Sequence, residues 1–335
     1  MTSTVSTAVA LRRLPDGPIS VDDFELVSSP LPALDEGDVL TRTRWFSIDP
    51  IMRKRMLDQA VGGRADGLGQ PIGARTLDEV VASRHPSFRP GDLALGWGGW
   101  RDLAVQSGER LVAVEDLGDR TSYWLSALGR PGITAWLGVE HVAQVTDEDV
   151  LIVSSAAGAV GSVAAQLARS RGAAVIGIAG GAEKTDWLTS EARLAAAVDY
   201  KAADFTERLA SAIPSGATAV FECVGGRILD ESIGVLRPGG RIALCGLIDR
   251  YQGNEPWLYR NFNLLLERGI RLEGFRIDDH QDLHAVAVET LRPLVDAGEI
   301  VVRETVADGL SAAPQAFVDL LEGRGAGKHL VRVAG

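Results

Sequence analysis

Cysteine is nearly absent from this chain, which has only Cys223 and Cys245 among its 335 residues. Two cysteines in this context do not suggest a disulfide framework, and a reducing cytoplasmic compartment fits them. Histidine is also scarce, because His85 is the only one in the first 140 residues. Zinc sites are built from Cys, His and carboxylate ligands, so we expect no zinc ion in the amino-terminal part.

Long apolar runs and basic clusters are missing as well. No apolar stretch approaches the roughly 20 residues that cross a bilayer, and the Ser/Thr-rich first ten residues are not typical of a signal peptide. The 45 acidic and 34 basic side chains give a formal net charge of −11. That charge would repel nucleic acid and anionic lipid, so we expect neither a nucleic-acid partner nor a membrane partner.

The arrangement of apolar segments along the sequence changes near residue 123. A chain of 335 residues is long enough for two domains. Before that point, short segments separated by Gly and Pro predict a mostly β domain, and the glycine-rich stretch 61–72 predicts a surface loop. After it, apolar runs alternate with helix-like segments, which predicts a parallel sheet covered on both faces. The predicted strands of this sheet are 150–154, 174–179, 197–200, 219–224, 241–245 and 270–275. The predicted helices are 160–171, 183–190, 205–212, 227–236, 258–268, 282–296 and 313–321.

The segment 150–171 combines a buried strand, a tight turn of small residues and a helix. Against the dinucleotide pattern G-x-G-x-x-G, the turn carries Ala156, Gly158 and Gly161, so the first glycine is replaced. Gly158 would let the backbone approach a pyrophosphate, and Gly161 would let the helix pack close to the strand. A tight turn without a ligand could carry the same glycines, but the surrounding alternation of strands and helices favours dinucleotide binding.

The end of the second predicted strand distinguishes NADPH from NADH. Sites for NAD usually place an Asp or Glu about 20 residues after the turn, where it binds the ribose 2′-hydroxyl. Here Gly180 and Gly181 are followed by Lys184, whose charge would attract a 2′-phosphate. Glu183 opposes this interpretation unless its side chain points away, and Lys184 could also be a solvated surface lysine. The pattern predicts NADPH as the cofactor.

Hydride transfer without a metal ion favours one class of substrate. Hydride addition to a simple ketone produces an alkoxide, which needs a Lewis acid or a strong proton donor. Addition to the β-carbon of an enone produces an enolate, whose delocalised charge a hydroxyl donor and a ribose hydroxyl could stabilise. Conjugate reduction is therefore the chemistry expected of a zinc-free site.

Motifs along nearly the whole chain are similar to those of one family. They include SIDPIMR at 47–53, AAGAVG at 156–161, GIAGGAEK at 177–184, VDYK at 198–201, CGLIDRY at 245–251 and EGF at 273–275. With these motifs the chain resembles the zinc-independent medium-chain dehydrogenase/reductases, in the branch of prostaglandin reductase (leukotriene 12-hydroxydehydrogenase) and alkenal double-bond reductase. The resemblance implies an α/β fold: a Rossmann-type doubly wound parallel sheet at 123–299 and a β-rich GroES-like catalytic domain at 1–122 and 300–335. It also implies a homodimer.

The resemblance assigns roles to particular residues. Tyr251 would be the catalytic group, reaching the nicotinamide and the substrate oxygen, while Lys184 and Tyr200 would hold the 2′-phosphate. Tyr251 could instead be a loop tyrosine anchored by its ring, and Tyr200 a packing residue at a strand end. The expected cofactor-binding residues are Ala157, Gly158, Ala159, Val160, Gly161, Gly180, Gly181, Lys184, Tyr200, Val224, Gly225, Cys245, Gly246, Tyr251, Phe275 and Gly325.

The sequence departs from this family in its expected pocket. Ile51, which with Tyr251 would line the substrate site, stands where relatives usually carry an aromatic residue, and Gly325 stands where they tend to carry Asn. Asn261 matches an Asn near the cofactor in relatives, and helix capping is an equal interpretation.

The expected reaction is NADPH-dependent reduction of the C=C bond of α,β-unsaturated aldehydes and ketones, with the cofactor between the two domains. Three alternatives stay open. The first is NADPH:quinone reduction on the same fold, and the second is a catalytically silent NADPH-binding protein. The third is oxidation of a secondary alcohol with NADP⁺, because hydride transfer is reversible.

Overall fold

The computed structural model describes residues 4–57, 67–251 and 255–333. The chain forms two compact units, one comprising residues 1–125 and 304–335 and the other residues 126–303. The loop predicted from the glycine-rich stretch 61–72 lies outside the described residues as far as position 66. Among the helices that the structure describes, none has the length and the apolar character that a membrane crossing requires.

The described regular elements alternate most strictly in the middle of the chain. In chain order the strands are β1 (Val5–Leu11), β2 (Phe24–Pro30), β3 (Asp38–Ser47), β4 (Thr76–Ser83), β5 (Leu93–Gly96), β6 (Leu103–Ser107), β7 (Val112–Val114), β8 (Val150–Val153), β9 (Ala174–Ala179), β10 (Ala196–Asp199), β11 (Ala217–Glu222), β12 (Leu236–Leu244), β13 (Arg271–Gly274), β14 (Glu304–Asp308) and β15 (Lys328–Arg332). The α-helices are α1 (Ile51–Leu57), α2 (Arg130–Trp136), α3 (Gly161–Ser170), α4 (Ala182–Ser190), α5 (Phe205–Ala212), α6 (Gly226–Gly234), α7 (Ile248–Tyr251), α8 (Leu264–Glu267), α9 (His284–Asp296) and α10 (Ala313–Leu321).

The unit 126–303 is built on a six-stranded sheet in the order β10-β9-β8-β11-β12-β13. Every neighbouring pair in it is parallel, which confirms the predicted Rossmann-type sheet. The interior strands are apolar along their length because helices cover both faces, and Ile152, Val220 and Ile242 lie in one buried cluster. The chain moves from β8 to β9 on one side and returns through β11 on the other, so the order reverses at β8. In such sheets, ligands bind beyond the carboxyl ends of the strands at this reversal.

The predicted helix 258–268 is wrong for most of its length, because only Leu264–Glu267 is helical. The reason is the Asp230 carboxylate, which is fully buried on α6. It accepts hydrogen bonds from the backbone amides of Arg260 and Asn261 at 3.1 and 2.8 Å and from the Trp257 indole at 3.0 Å. These bonds hold the segment before α8 against α6 in an irregular conformation.

The other unit contains a seven-stranded mixed sheet, consistent with the predicted β-rich domain. Its path is β14-β15-β3-β4-β5-β7, with β6 also pairing with β3, so the carboxyl-terminal strands join the amino-terminal ones. The antiparallel pair β1–β2 and helix α1 were not predicted from the sequence. The core is aromatic: the fully buried Trp100 ring lies 5.9 Å from the Phe46 ring and 5.8 Å from the Phe317 ring, between centroids.

Candidate functional site

Two glycines in the turn after β8 avoid close contacts with Ser155. Ser155 has φ 50°, and the Gly158 amide donates to its carbonyl at 2.8 Å, which closes the turn. A Cβ on Gly158 would lie 2.7 Å from Ser155 Oγ, and a Cβ on Gly161 would clash with the Ser155 carbonyl. Gly158, Ala159 and Val160 are half-buried, whereas Ala157 and Gly161 are buried. The exposed part of the turn is therefore backbone and small side chains at the start of α3.

Ala156 fits where the dinucleotide pattern has its first glycine because a neighbouring residue has no side chain. Ala156 is fully buried, and its amide donates to the Ile178 carbonyl of β9 at 3.0 Å. A Cβ on Gly177 in the same strand would lie 3.0 Å from the Ala156 Cβ. Gly177 thus leaves the space that the methyl group of Ala156 fills.

Beyond β9 and β10 the structure brings Gly180, Tyr200 and two lysines together. A Cβ on Gly180 would lie 2.7 Å from the Tyr200 ring and 2.9 Å from Lys201 Cε, so the glycine lets these side chains cross the strand end. Tyr200 is 38% exposed, which argues against the interpretation as a packing residue. Burial and the nearby charge of Lys201 lower the pKa of Lys184, the charge of Glu183 opposes that shift, and Arg303 adds to it. Three cations therefore share a small region beside Gly180.

Glu183 offsets only one of these three charges, because it is paired with Arg303. Arg303 Nη2 donates to Glu183 Oε1 at 2.5 Å, and the guanidinium lies 5.5 Å from the centroid of the Trp187 ring. Arg303 Nη1 is buried and makes no hydrogen bond within the described residues. Glu183 is thus paired, and a buried donor on Arg303 is left for a further acceptor.

The carboxyl end of β11 is shaped by a buried acid, Glu222. Its Oε1 accepts from the amides of Val224 and Gly225 at 2.6 and 2.7 Å. Burial raises the pKa of Glu222 to about 7, although these two hydrogen bonds and one from Ser154 oppose the shift. Gly225 has φ 81°, and a Cβ there would lie 2.9 Å from Leu247 Cδ2. The carboxyl group therefore holds a glycine-dependent turn between β11 and α6.

Cys245 and Gly246 follow β12 beside this turn. The Cys245 amide donates to the Glu222 carbonyl at 2.9 Å, and its sulfur lies 3.3 Å from the Cys223 sulfur. A Cβ on Gly246 would lie 3.1 Å from the Cys223 carbonyl oxygen. The two strand ends are consequently in close contact through residues without large side chains.

Tyr251 is the last residue of α7, which is attached to the same strand ends. The amides of Ile248 and Asp249 donate to the carbonyls of Cys223 and Val224 at 3.2 and 3.0 Å. Burial raises the pKa of Tyr251; a hydrogen bond from the Leu247 backbone lowers it, and the charges of the two cysteines raise it further. The phenol is half-buried and stays protonated well above neutral pH, so it can donate a hydrogen bond.

Phe275 and Asn261 make packing contacts within the unit 126–303. A Cβ on Gly138 would lie 2.8 Å from Phe275 Cζ, so the ring packs on the π-helical segment Leu137–Val142. The Asn261 side chain donates to the Asp230 carbonyl at 3.0 Å, and the residue before α8 is Asn263 instead. The Asn261 side chain therefore connects its segment to α6 by a hydrogen bond and does not cap a helix.

Ile51 and Gly325 belong to the other unit. Ile51 is the first residue of α1, directly after a turn held by Lys328. Lys328 Nζ donates to the Ile48 carbonyl at 2.7 Å and to Asp49 Oδ1 at 2.6 Å. Burial would raise the pKa of Asp49, but the charge and hydrogen bond of Lys328 lower it below its usual value. Gly325 has φ 70°, and a Cβ there would lie 2.7 Å from Thr305 Oγ1.

Three residues of this region were missed by sequence reasoning: Lys201, Arg303 and Glu222. Lys201 follows Tyr200 in the VDYK motif, so its position was a usable signal. Nothing in the sequence connects Arg303 to Glu183. Glu222 is the last residue of an apolar strand, where a buried acid is rare enough to mark a special position. Within the described residues, no group of three or more His, Cys, Asp or Glu side chains could hold a metal ion.

Comparison with known proteins gives consistent matches over the whole chain. Residues 7–114 match the family model described as the N-terminal domain of oxidoreductase, and residues 159–292 match the zinc-binding dehydrogenase model. The NADPH-dependent curcumin reductase of Escherichia coli K12 is 36% identical over 331 residues, which cover 96% of this chain and 95% of the relative. The NADP(+)-dependent 2-alkenal reductase of Nicotiana tabacum is 35% identical over 301 residues, 89% of this chain and 88% of the relative.

A solved structure is similarly close. The crystal structure of CurA in complex with NADPH, from Vibrio vulnificus, is 34% identical with a TM-score of 0.93 and covers 98% of this chain and 99% of that one. Together with the two sequence relatives, this match confirms the resemblance found from the motifs.

Proposed function

The chain belongs to the medium-chain dehydrogenase/reductase superfamily, and on that premise we propose that it is an NADPH-dependent reductase of C=C bonds conjugated to an aldehyde or ketone. The relatives named above are reductases whose names specify NADPH or NADP(+). We also propose that residues 123–299 form the dinucleotide-binding domain and that residues 1–122 and 300–335 form a catalytic GroES-like domain.

The residues of the turn after β8 fit the pyrophosphate of NADPH. Glycine at positions 158 and 161 avoids close contact with Ser155, and residues 158–160 are half-buried just before α3. Amides at a helix N-terminus bind phosphate oxygens well. In the proposal, Ala157, Ala159 and Val160 complete this turn, and Val224, Gly225, Cys245 and Gly246 border the nicotinamide half.

The cations beside Gly180 fit the 2′-phosphate of NADPH. Burial is the largest cause of the lowered pKa of Lys184, and repulsion by Lys201 is the second. An anion between the two lysines would relieve that repulsion. Arg303 neutralises Glu183 and keeps a buried donor at Nη1. NADH has no group that would use these charges, so we infer a preference for NADPH, with Tyr200 and Gly181 beside the phosphate.

The single observation that best supports the proposed reaction is the protonated, half-buried phenol of Tyr251 at the carboxyl ends of β11 and β12. Bound NADPH would supply a hydride to the β-carbon of the substrate. Tyr251 would donate a hydrogen bond to the substrate oxygen as negative charge develops there. Because its pKa is raised, it keeps this proton through neutral pH. Phe275, Gly325 and Ile51 complete the proposed cofactor and substrate contacts.

A substrate panel tests the reaction class. NADPH absorbance is followed with enals, enones, quinones and simple ketones, and NADH is the control cofactor. We expect turnover with enals and enones, little with simple ketones, and a lower rate with NADH. Turnover of quinones alone would make the protein a quinone reductase. NADPH binding without turnover of any compound would make it a silent binding protein, and equal use of NADH would contradict the role of the cation cluster.

We also propose that two copies of the chain form a dimer through the edge strand β13. The four residues of β13 are exposed, and β12 is the one strand that pairs with it among the residues that the structure describes. Large apolar side chains are exposed just before it, with Leu258 at 86%, Phe262 at 57% and Leu266 at 88%. In an antiparallel pair of two β13 strands centred on Leu272, Arg271 of each copy would face Glu273 of the other. Arg271 also lies 3.8 Å from Glu273 of its own chain, so the two charges would alternate across the pair of strands and favour a second copy as the partner.

Light scattering on a sizing column tests the dimer. We expect the mass of two chains for the unmodified protein and of one chain for Leu266→Asp, because a carboxylate would be buried in the interface. Leu14→Asp is the matched control, since Leu14 is 51% exposed in the other unit. One chain mass for the unmodified protein, or no effect of Leu266→Asp, would contradict the proposed surface.

A further inference from the structure

We propose that Cys223 and Cys245 form a reversible oxidation site, in which a peroxide converts the two thiols into a disulfide. They are the only cysteines of the chain, and their sulfurs lie 3.3 Å apart. Each directly follows a paired strand residue, because Glu222 of β11 pairs with Leu244 of β12. Neighbouring strands lie about 4.8 Å apart, within the range of roughly 4.4–6.8 Å between the Cα atoms of a disulfide.

The two thiols are not equivalent. Cys223 is 6% exposed, and its pKa is raised by the hydrogen bond with Cys245, by burial and by the nearby charges of Cys245 and Glu222. It therefore stays a thiol. Cys245 is half-buried and is the more exposed of the two residues, so we expect a small oxidant in solvent to react there first. The arrangement gives an accessible attacking sulfur and a shielded resolving sulfur.

The chemistry requires one peroxide molecule and no other reactant. The Cys245 thiolate attacks a peroxide oxygen, the O–O bond breaks, and Cys245 becomes a sulfenic acid while hydroxide leaves and is protonated to water. The Cys223 sulfur then attacks the Cys245 sulfur, the S–O bond breaks, and the thiol proton leaves with hydroxide as water. Two thiols are oxidised by two electrons in all, and hydrogen peroxide is reduced to two waters. A dithiol reductant reverses the step.

The site is attached to the segment that carries Tyr251. Cys245 is followed by Gly246 and Leu247 and then by α7, whose first amide donates to the Cys223 carbonyl. A disulfide needs the sulfurs at about 2.05 Å, so they must approach from 3.3 Å, and the two side chains must shift beside the segment that leads to α7. The charges of both cysteines act on Tyr251, which places them within electrostatic reach of the phenol. Oxidation should therefore slow turnover, a consequence that rests on the proposed function, whereas the covalent step does not.

Thiol counting and intact mass test the covalent step. The unmodified full-length protein is treated with hydrogen peroxide, and free thiols are titrated under denaturing conditions before and after dithiothreitol. We expect two thiols to fall to none, with a mass loss of two hydrogens and full recovery on reduction. Cys223→Ser removes the resolving sulfur, so the variant should accumulate a sulfenic acid at Cys245 that dimedone traps. Retention of both thiols, or a gain of oxygen without disulfide in the unmodified protein, would overturn the proposal.

Turnover measured on the same samples tests the effect on Tyr251. We expect a several-fold loss of activity that follows disulfide formation and that dithiothreitol restores. Full activity of the disulfide form would overturn the coupling to Tyr251. A protein that turns over no unsaturated carbonyl compound refutes the proposed function alone, because thiol count and mass still decide whether the oxidation site exists.

Discussion

Arg303 Nη2 lies 2.5 Å from Glu183 Oε1, although the two residues are 120 positions apart in the sequence. The pair neutralises an acid that would otherwise repel a phosphate beside Lys184 and Lys201. Arg303→Gln should therefore weaken NADPH binding by about fivefold, or about 1 kcal/mol, and leave NADH binding nearly unchanged. Fluorescence titration of both cofactors measures this.

The matched control for that substitution is Arg208→Gln. Arg208 on α5 pairs with Asp204, the residue just before that helix, and both side chains are more than half exposed. This variant should bind both cofactors like the unmodified protein. An equal loss of NADPH and NADH affinity in Arg303→Gln would mean that the arginine supports the fold and not the phosphate site.

Gly161→Ala should destabilise the protein and abolish dinucleotide binding. The added methyl group would clash with the Ser155 carbonyl, and backbone must move to accept it. Overpacking of this kind costs about 2 kcal/mol, measurable by urea unfolding. Gly67→Ala is the control, because its Cβ would meet nothing closer than Gln70 Cγ at 3.6 Å. A stable Gly161→Ala variant with unchanged NADPH affinity would refute the role of the turn.

Tyr251→Phe should reduce kcat by at least about tenfold, because it removes a proton donor from the substrate oxygen. The affinity for NADPH should change by less than about twofold, since the ring is retained. Steady-state kinetics with an enone and cofactor titration measure the two effects. Tyr123→Phe, in the other unit, is the control and should leave both values unchanged. An unaltered kcat in Tyr251→Phe would remove the residue from the proposed mechanism.

Glu222 predicts a pH-dependent stability. Its pKa is raised from 4.5 to about 7 in the folded protein, so the folded state binds the proton more tightly than the unfolded state. Its contribution is fully present below pH 4.5 and is lost as pH rises through about 7. The unmodified protein should therefore lose on the order of 3 kcal/mol between pH 4.5 and pH 8 relative to Glu222→Gln. Glutamine keeps the acceptor for Val224 and Gly225 but cannot ionise.

Urea unfolding at several pH values measures this difference. Glu289→Gln is the control, since Glu289 is exposed on α9 and should follow the unmodified protein at every pH. A constant difference between Glu222→Gln and the unmodified protein across this range would show that Glu222 does not bind its proton more tightly in the folded state.

Metal removal should have no effect on the protein. Residues 159–292 match a family model named for zinc binding. However, His85 Nε2 lies 3.3 Å from Glu109 Oε1, and the sulfurs of the two cysteines lie 3.3 Å from each other. We expect less than one-tenth of an equivalent of zinc by elemental analysis, on the order expected for adventitious metal. Turnover should also survive dialysis against a chelator. Stoichiometric zinc whose removal abolishes activity would contradict the metal-free chemistry.

Much of the fold was predictable because its signals are local. The strands of the parallel sheet are continuous apolar runs, and each is followed by a helix of its own, so period and length were sufficient. The pair β1–β2 was missed because its pairing depends on contacts that the sequence pattern does not reveal. The helix predicted at 258–268 failed for a similar reason. Its amides are satisfied by the carboxylate of Asp230 from another helix, and this tertiary contact overrides local periodicity.

In the candidate site, too, the sequence predicted some features and the structure revealed others. The turn at Gly158 and Gly161 could be predicted because its geometry depends on neighbours within a few residues. Gly180, Tyr200 and Lys184 were predicted as members of one site, and the structure places Tyr200 over Gly180 with Lys201 beside them. Their assignment to a phosphate stays a prediction until cofactor binding is measured.

The sequence by itself determined the class of fold, the dinucleotide turn and the shortage of metal ligands, because each follows from composition or from short-range spacing. Only the tertiary structure decided which residues far apart in the sequence come into contact and modify these features. Gly177 makes room for Ala156, Arg303 neutralises Glu183, and the ends of β11 and β12 bring Cys223 against Cys245. The physical reason is that these effects act through space between strands and helices, whose lateral order no local pattern encodes.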